Sequence, residues 1–156
     1  MNHSSPLILA NIIDDHCQQH ANLDAITFVH ITADDKFDDE VRSYQQLWDH
    51  GQHIAAALDQ ADMQAGDSFG LLMKNHPEFV DAMVGASISN TVFVPIDPRT
   101  KGDKLSYMLN FSHCRGVIVA DYALQNLLSA LAEPDHAGSS TVEWVWVLET
   151  NEQQPS

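Results

Sequence analysis

The chain has 156 residues, 44% of them apolar and 19% charged, which is enough for one buried core and places it as one domain or one piece of a larger one. Seven basic against 22 acidic residues give a formal charge of −15, which repels phosphate backbones and anionic membrane surfaces, so nucleic acid is not an expected partner. Cys17 and Cys114 lie far apart with no C-x-x-C pair, no basic leader opens the chain, and no stretch approaches ~18 apolar residues, so the expectation is a cytoplasmic protein with reduced thiols and no membrane insertion.

Leu7, Ile8, Ile12 and Ile13 recur near helical spacing and predict an N-terminal helix ending near His20. "AITFVHI" and "DEVRSY" then read as two strands joined by the acidic run "ADDKFDDE", a solvated hairpin tip rather than a cation site, since spaced oxygen ligands and a loop glycine are lacking. Tyr44, Leu47, Trp48, Gly51, Ile54, Ala55 and Leu58 follow at helical spacing, with Ser43 and Gln46 placed as a capping box. "AGDSFGLLM" turns through Gly66 and Asp67 into a short strand, and the next helix is expected to take Asn75 as cap, Glu78 as its partner and Pro77 in the first turn. "TVFVPI" is a strand halted at Pro95, "KGDKLSYMLNFS" a helix introduced by Thr100, and "GVIVA" a buried strand. Asp121 is placed to cap a helix carrying Leu124, Leu127, Leu128 and Leu131, and "VEWVWVL" alternates Val142, Trp144, Trp146 and Leu148 on one face. Four strands separated by helices predict an α/β fold with a mostly parallel sheet flanked by helices on both faces. The polar tail 151–156 is expected to be disordered, behind a structured region spanning 1–150.

Two histidine pairs have metal-ligand spacing, His16 with His20 and His50 with His53, but two ligands do not make a site, and the polar neighbours of each favour solvated histidines. The seven glycines are scattered singly, with no phosphate-cradling glycine motif after any strand and no G-x-S-x-G elbow. From the residues alone the chain is an α/β unit without a self-contained active site: no catalytic residue and no metal ligand is assigned.

An ordered series of motifs carries a family resemblance. Ser43-Tyr44 starts the first long helix, Gly66-Asp67 precedes a strand, and Asn75-x-Pro77-Glu78 opens a helix. Val94-Pro95-x-Asp97-Pro98-Arg99 and Leu105-x-Tyr107-x-Leu109 follow, leading to Arg115 and a strand. From about Leu7 to Asp121 the chain resembles the N-terminal part of the adenylate-forming acyl-CoA synthetases. The resemblance implies the N-terminal subdomain of that fold, incomplete, in an enzyme that makes an acyl-adenylate from a carboxylate and MgATP and passes the acyl group to coenzyme A. It implies ATP, Mg and coenzyme A as cofactors, and a small-molecule carboxylate and the rest of the parent enzyme as partners. The family's phosphate loop, aromatic-Thr-Glu segment, ribose-binding Asp and catalytic Lys are not found here, so the chain is expected to be a truncated enzyme, inactive on its own. Arg99 is the one residue given a cofactor-binding role, since the arginine of this turn lies near the coenzyme A phosphates in some ligases; its alternative is a surface residue paired with Asp97 or Asp103. Asn90 stands where the family usually has Gly, and Asn22 where it often has Pro; Asn tolerates the left-handed conformation that closes a helix. The resemblance leans toward ligases of crotonobetaine/carnitine or medium-chain fatty acids. The adenylation domain of a peptide synthetase is a second reading, set back because "DPRTKGDKL" lacks the Tyr-Pro that usually follows the Asp-Pro turn there, and a non-catalytic interaction domain is a third.

Overall fold

The computed structural model describes residues 7–31, 36–132 and 140–150. Residues 32–35 of the expected hairpin tip and the tail 151–156 lie outside these residues, whereas Phe37–Glu40 of the acidic run extend a strand instead of forming the tip. The chain forms two compact units, the first from Met1–Gln60 and His76–Ser89, the second from Ala61–Asn75 and Asn90–Ser156.

The first unit contains α1 (Leu9–His20), β1 (Asp24–Ile31), β2 (Phe37–Ser43), α2 (Tyr44–Gln60) and α3 (Pro77–Ser89). β1 and β2 pair antiparallel from Asp24↔Ser43 to Ile31↔Phe37. At the start of α2 the predicted capping box forms: the Ser43 N–H donates to Gln46 Oε1 at 2.9 Å and the Gln46 N–H to Ser43 Oγ at 3.3 Å. Leu47, Gly51, Ala55 and Leu58 are buried, as their spacing predicts. Gly51 and Gly85 let α2 and α3 approach closely: a Cβ on Gly85 would stand 2.6 Å from the Cβ of Ile54, and one on Gly51 would overlap Val84. Ile13, Leu47 and Val84 form the centre of this core, with Ala25, Ile26, Tyr44, Trp48 and Ile88 packed around them. α3 starts at Pro77, so the flanking cap position falls to His76 instead of the expected Asn75; a residue with no N–H and a fixed φ fits the first helical position.

The second unit contains β3 (Ser68–Leu72), β4 (Val92–Ile96), α4 (Gly102–Phe111), β5 (Cys114–Ala120), α5 (Asp121–Ala132) and β6 (Trp144–Leu148). All its strand pairs are parallel, in the order β4-β3-β5-β6. Phe69, Leu71, Leu72, Val117 and Val119 are fully buried, which explains why β3 and β5 read as continuous apolar runs. α4 and α5 pack on each other and on β5, and Leu109 of α4 lies over Gly70 of β3.

Three local expectations are corrected. Pro95 does not halt its strand but pairs opposite Leu71 within β4, which an edge strand tolerates because one side of its backbone needs no partner. Thr100 does not introduce α4: its N–H closes a turn on the Asp97 carbonyl at 2.9 Å, and Lys101 takes the N-cap position without a side-chain cap bond. Leu128 is 47% exposed, and α5 buries Tyr122, Ala123, Leu127 and Ala130, because the register of the helix turns the two small alanines inward. Asn90 has φ 56, the left-handed conformation expected of it, and Asp62 and His113 close α2 and α4 in the same way with φ 57 and 50.

Candidate functional site

In an open parallel sheet, ligands bind outside the carboxyl ends of the strands, where the strand order reverses. In the second unit the chain passes from β3 to β4 on one side and then to β5 on the other, so the reversal falls at β3. The loops at these ends carry Lys74 after β3, residues 97–100 after β4, Asp121 at the start of α5 and Thr150 after β6.

Residues 97–100 form a tight turn that Asp97 organises. Its Oδ1 accepts the Arg99 backbone N–H at 2.8 Å and the Arg99 Nε–H at 3.1 Å, while Oδ2 accepts from Arg99 Nη2 at 2.7 Å. These bonds hold the Asp97 carboxyl down at about 2, through the Arg99 side chain first and its backbone N–H second. Asn126 Nδ2 donates to the Pro98 carbonyl at 3.2 Å, tying the turn to α5. Arg99 thus has the Asp97 partner its alternative reading anticipated, yet its side chain remains 63% exposed. A guanidinium carries five N–H donors; Asp97 takes two, and the remaining three are available to an anion.

The neighbouring loops are also held. The Lys74 N–H donates to the Tyr122 hydroxyl at 2.7 Å, and Lys74 Nζ stands 5.0 Å from the centre of the same ring. Asp121 accepts from the Tyr122 N–H at 2.8 Å and from the Thr150 hydroxyl and N–H at 2.7 and 3.0 Å, so it opens α5 as expected and also anchors the end of β6. At the opposite end of the sheet Arg115 donates to Asp67 at 2.5 Å, to the Asp62 carbonyl at 2.8 Å and to Glu143 at 2.7 Å. Its sequence signal was only a motif position; the structure makes it the tie between the entries to β3, β5 and β6.

The histidine pairs do not converge on a metal. His16 engages the Ile12 carbonyl through Nδ1 at 2.8 Å and stacks on Tyr44, and His50 donates Nδ1–H to Asp81 at 3.0 Å. Among the described residues no three His, Cys, Asp or Glu side chains are placed to hold a metal ion. Both cysteines are free thiols, and burial pushes Cys114 up to about 11. Asp81 carries no expectation from the sequence, although an Asp three and four residues before Val84 and Gly85, on the face of α3 that meets α2, is a visible anomaly.

The sequence profile of the AMP-binding enzyme family matches residues 13–156. The chain belongs to the AMP-binding enzyme family. Among curated proteins it is 26% identical over 108 residues to 4-hydroxybutyrate--CoA ligase 2 of Metallosphaera sedula, covering 63% of this chain and 20% of that protein. It is 30% identical over 118 residues to Malpibaldin synthetase of Mortierella alpina, covering 71% of this chain and 2% of that protein. The chain therefore spans a fifth or less of the length of these relatives. Among solved structures, the N-terminal domain of FACL13 from Mycobacterium tuberculosis superposes with a TM-score of 0.75 at 23% identity, covering 89% of this chain and 33% of the other. The Mycobacterium tuberculosis fatty acyl CoA synthetase gives 0.74 at 23% identity over 89% of this chain and 26% of that one. The fold is that of the N-terminal part of adenylate-forming enzymes, as the motif series implied. Among the described residues no helix is long and apolar enough to cross a membrane.

Proposed function

We propose that this chain is the N-terminal α/β part, over residues 1–150, of an ATP-dependent acyl-CoA ligase, which joins a small-molecule carboxylate to AMP and then to the thiol of coenzyme A. The observation that carries the reading is Arg99: a cation fixed by Asp97 at the carboxyl edge of a parallel sheet, largely exposed, with three donors unspent. That arrangement suits a phosphate of coenzyme A, because a pre-positioned guanidinium loses little freedom on binding and matches phosphate geometry. Lys74, at the reversal point of the same sheet, adds a second positive charge to that edge. Mg bound with ATP neutralises the polyphosphate in such reactions; no residue is assigned to hold it. The reading carries a cytoplasmic location and a role in fatty acid metabolism, and it assigns the adenylation chemistry to the rest of the enzyme, with these residues alone inactive.

A second reading, the adenylation domain of a peptide synthetase, is favoured by the 30% identity with Malpibaldin synthetase. Carboxylate-dependent exchange of labelled pyrophosphate into ATP, followed by thioester formation, separates the two. The complete enzyme carrying these residues is expected to exchange pyrophosphate and to form a thioester with free coenzyme A, while the 156-residue chain does neither. Exchange by the chain alone, or a complete protein that loads a carrier domain and ignores free coenzyme A, would overturn the proposal.

A further inference from the structure

A cleft in the first unit is lined by none of the residues assigned to that function. It is open to solvent, has a volume of about 240 Å³ and is lined by Arg42, His50, His53, Ile54, Glu78 and Asp81. Arg42 and Asp81 are only 12% and 6% exposed in their side chains. Glu40 pairs with Arg42 Nη1 at 2.5 Å and so compensates that cation. His50 donates to Asp81 Oδ2 at 3.0 Å, and Arg42 Nε stands 4.0 Å from the same oxygen, beyond hydrogen-bond reach. Two atoms are left over: Asp81 Oδ1 and Arg42 Nε are buried and have no hydrogen-bond partner among the described residues.

Orphaned atoms on buried charged groups are costly, since each has given up water without replacement. Burial is the leading influence on the Asp81 carboxyl and pushes it up from the usual carboxylate range, against the pull of His50 and Arg42. A single water would occupy only ~30 Å³, a small part of this cleft. The cleft therefore sets one guanidinium donor beside a carboxylate acceptor, with Glu78 adding negative charge at the lining.

We propose that this cleft binds a small zwitterion, an α-amino acid, whose ammonium group donates to Asp81 Oδ1 and faces Glu78 while its carboxylate accepts from Arg42 Nε. Donor and acceptor of an α-amino acid are held side by side, and Arg42 and Asp81 line the same cleft with Arg42 Nε 4.0 Å from the Asp81 carboxylate at Oδ2. A simple amine would leave Arg42 Nε unpaired, and a simple carboxylate would leave Asp81 unpaired and meet two like charges. Asp81 Oδ1 is buried, so the ammonium reaches it as the carboxylate turns about its soft last torsion, a turn that loosens the His50 bond to Oδ2. Ile54 supplies an apolar wall for a short aliphatic side chain.

The test titrates the full chain with L-alanine, ethylamine and propionate, following the His50 ring protons by NMR. Alanine is expected to bind about tenfold or more tightly than either half-ligand, a margin worth ~1.4 kcal/mol. Asp81→Asn keeps the shape and an acceptor for His50 but is expected to lose alanine binding at least about tenfold by the same conversion. An equal response to all three compounds, no response at millimolar alanine, or undiminished binding in a folded Asp81→Asn chain would overturn the proposal. Should that variant fail to fold, Glu78→Gln is read in its place, and unchanged alanine affinity there counts against the site equally.

Discussion

Asp67 and Asp81 each face an arginine, yet their carboxyls move in opposite directions. Asp67, in the second unit, accepts the Gln64 N–H and an Arg115 N–H, and both hold it below the usual range. Asp81, in the first unit, lies deeper, receives one bond from His50, and has an arginine too far away to donate; its carboxyl is raised, with burial as the main cause. The lesson is that a neighbouring arginine does not by itself ionise a carboxylate. What decides is whether the fork of donors points at it and whether water is lost in the process. The second unit places its charges at the rims of a buried sheet with most donors matched, whereas the first unit draws a charged pair inside and leaves it incompletely matched.

The largest expected effect comes from opening the first unit. Gly85→Ala drives a methyl against the Cβ of Ile54, 2.6 Å away, and against the Gly51 carbonyl at 3.1 Å, none of which can swing aside. Overpacking of about 1–3 kcal/mol, less the ~1 kcal/mol that alanine gains over glycine in a helix, leaves a net loss of up to ~2 kcal/mol in urea unfolding. If burial is what raises Asp81, the wedge should also bring its carboxyl back toward the usual range, read by NMR titration; an unmoved carboxyl would undo that half of the comparison.

Arg115→Ala tests the other half. It strips Asp67 and Glu143 of a shared partner, and should lower stability in urea unfolding, with Arg115→Lys recovering part of the loss. The direct contrast is Asp67→Asn against Asp81→Asn at neutral pH. A lowered folded pKa contributes stability above the unfolded value of about 3.9 and loses it as pH falls through the lower folded value, so Asp67→Asn should destabilise by about 1 kcal/mol at pH 7 and less on acidification. A raised folded pKa has the reverse sign: the ionised carboxylate weakens the fold above it, and the weakening fades as pH falls. Asp81→Asn should accordingly be neutral or stabilising at pH 7, and a loss comparable to that of Asp67→Asn would mean that the Asp81 ion pair is worth more than its burial costs.

The smallest effect concerns the helix ends. His113 holds φ 50 without the local hydrogen-bonding advantage of Asn or Asp, so His113→Gly should gain a few tenths of a kcal/mol after the entropy cost of glycine, while Asn90→Gly changes nothing measurable. Equal gains at both positions would show that residue type matters little there.

Much of this architecture is legible in the sequence because burial leaves a periodic record. The stripe from Tyr44 to Leu58 matched α2, and Trp144, Trp146 and Leu148 alternate along β6, although the strand begins two residues after the Val142 expected to open it. Local starts were less legible, since they depend on bonds made by the backbone: Thr100 looks like a cap until its N–H is committed to Asp97, and Pro95 looks like a stop until its strand is known to be an edge. At the candidate site, the Asp97-Pro98-Arg99 turn could be read directly because its partners are two residues apart. The Arg115 and Asp81 clusters could not, because their partners lie 28 to 53 residues away and only the fold brings them together.

The most direct test of the proposed function is Arg99→Ala in the complete enzyme, with the two half-reactions assayed apart. If Arg99 contacts a phosphate of coenzyme A, pyrophosphate exchange without coenzyme A should be unchanged and the KM for coenzyme A should rise with kcat preserved, corresponding to about 1.5–3 kcal/mol for a charge-assisted bond. Arg99→Lys should recover part of the loss, because the charge survives and the fork does not. An unchanged KM for coenzyme A, or equal damage to both half-reactions, would contradict the account and leave Arg99 as the structural partner of Asp97.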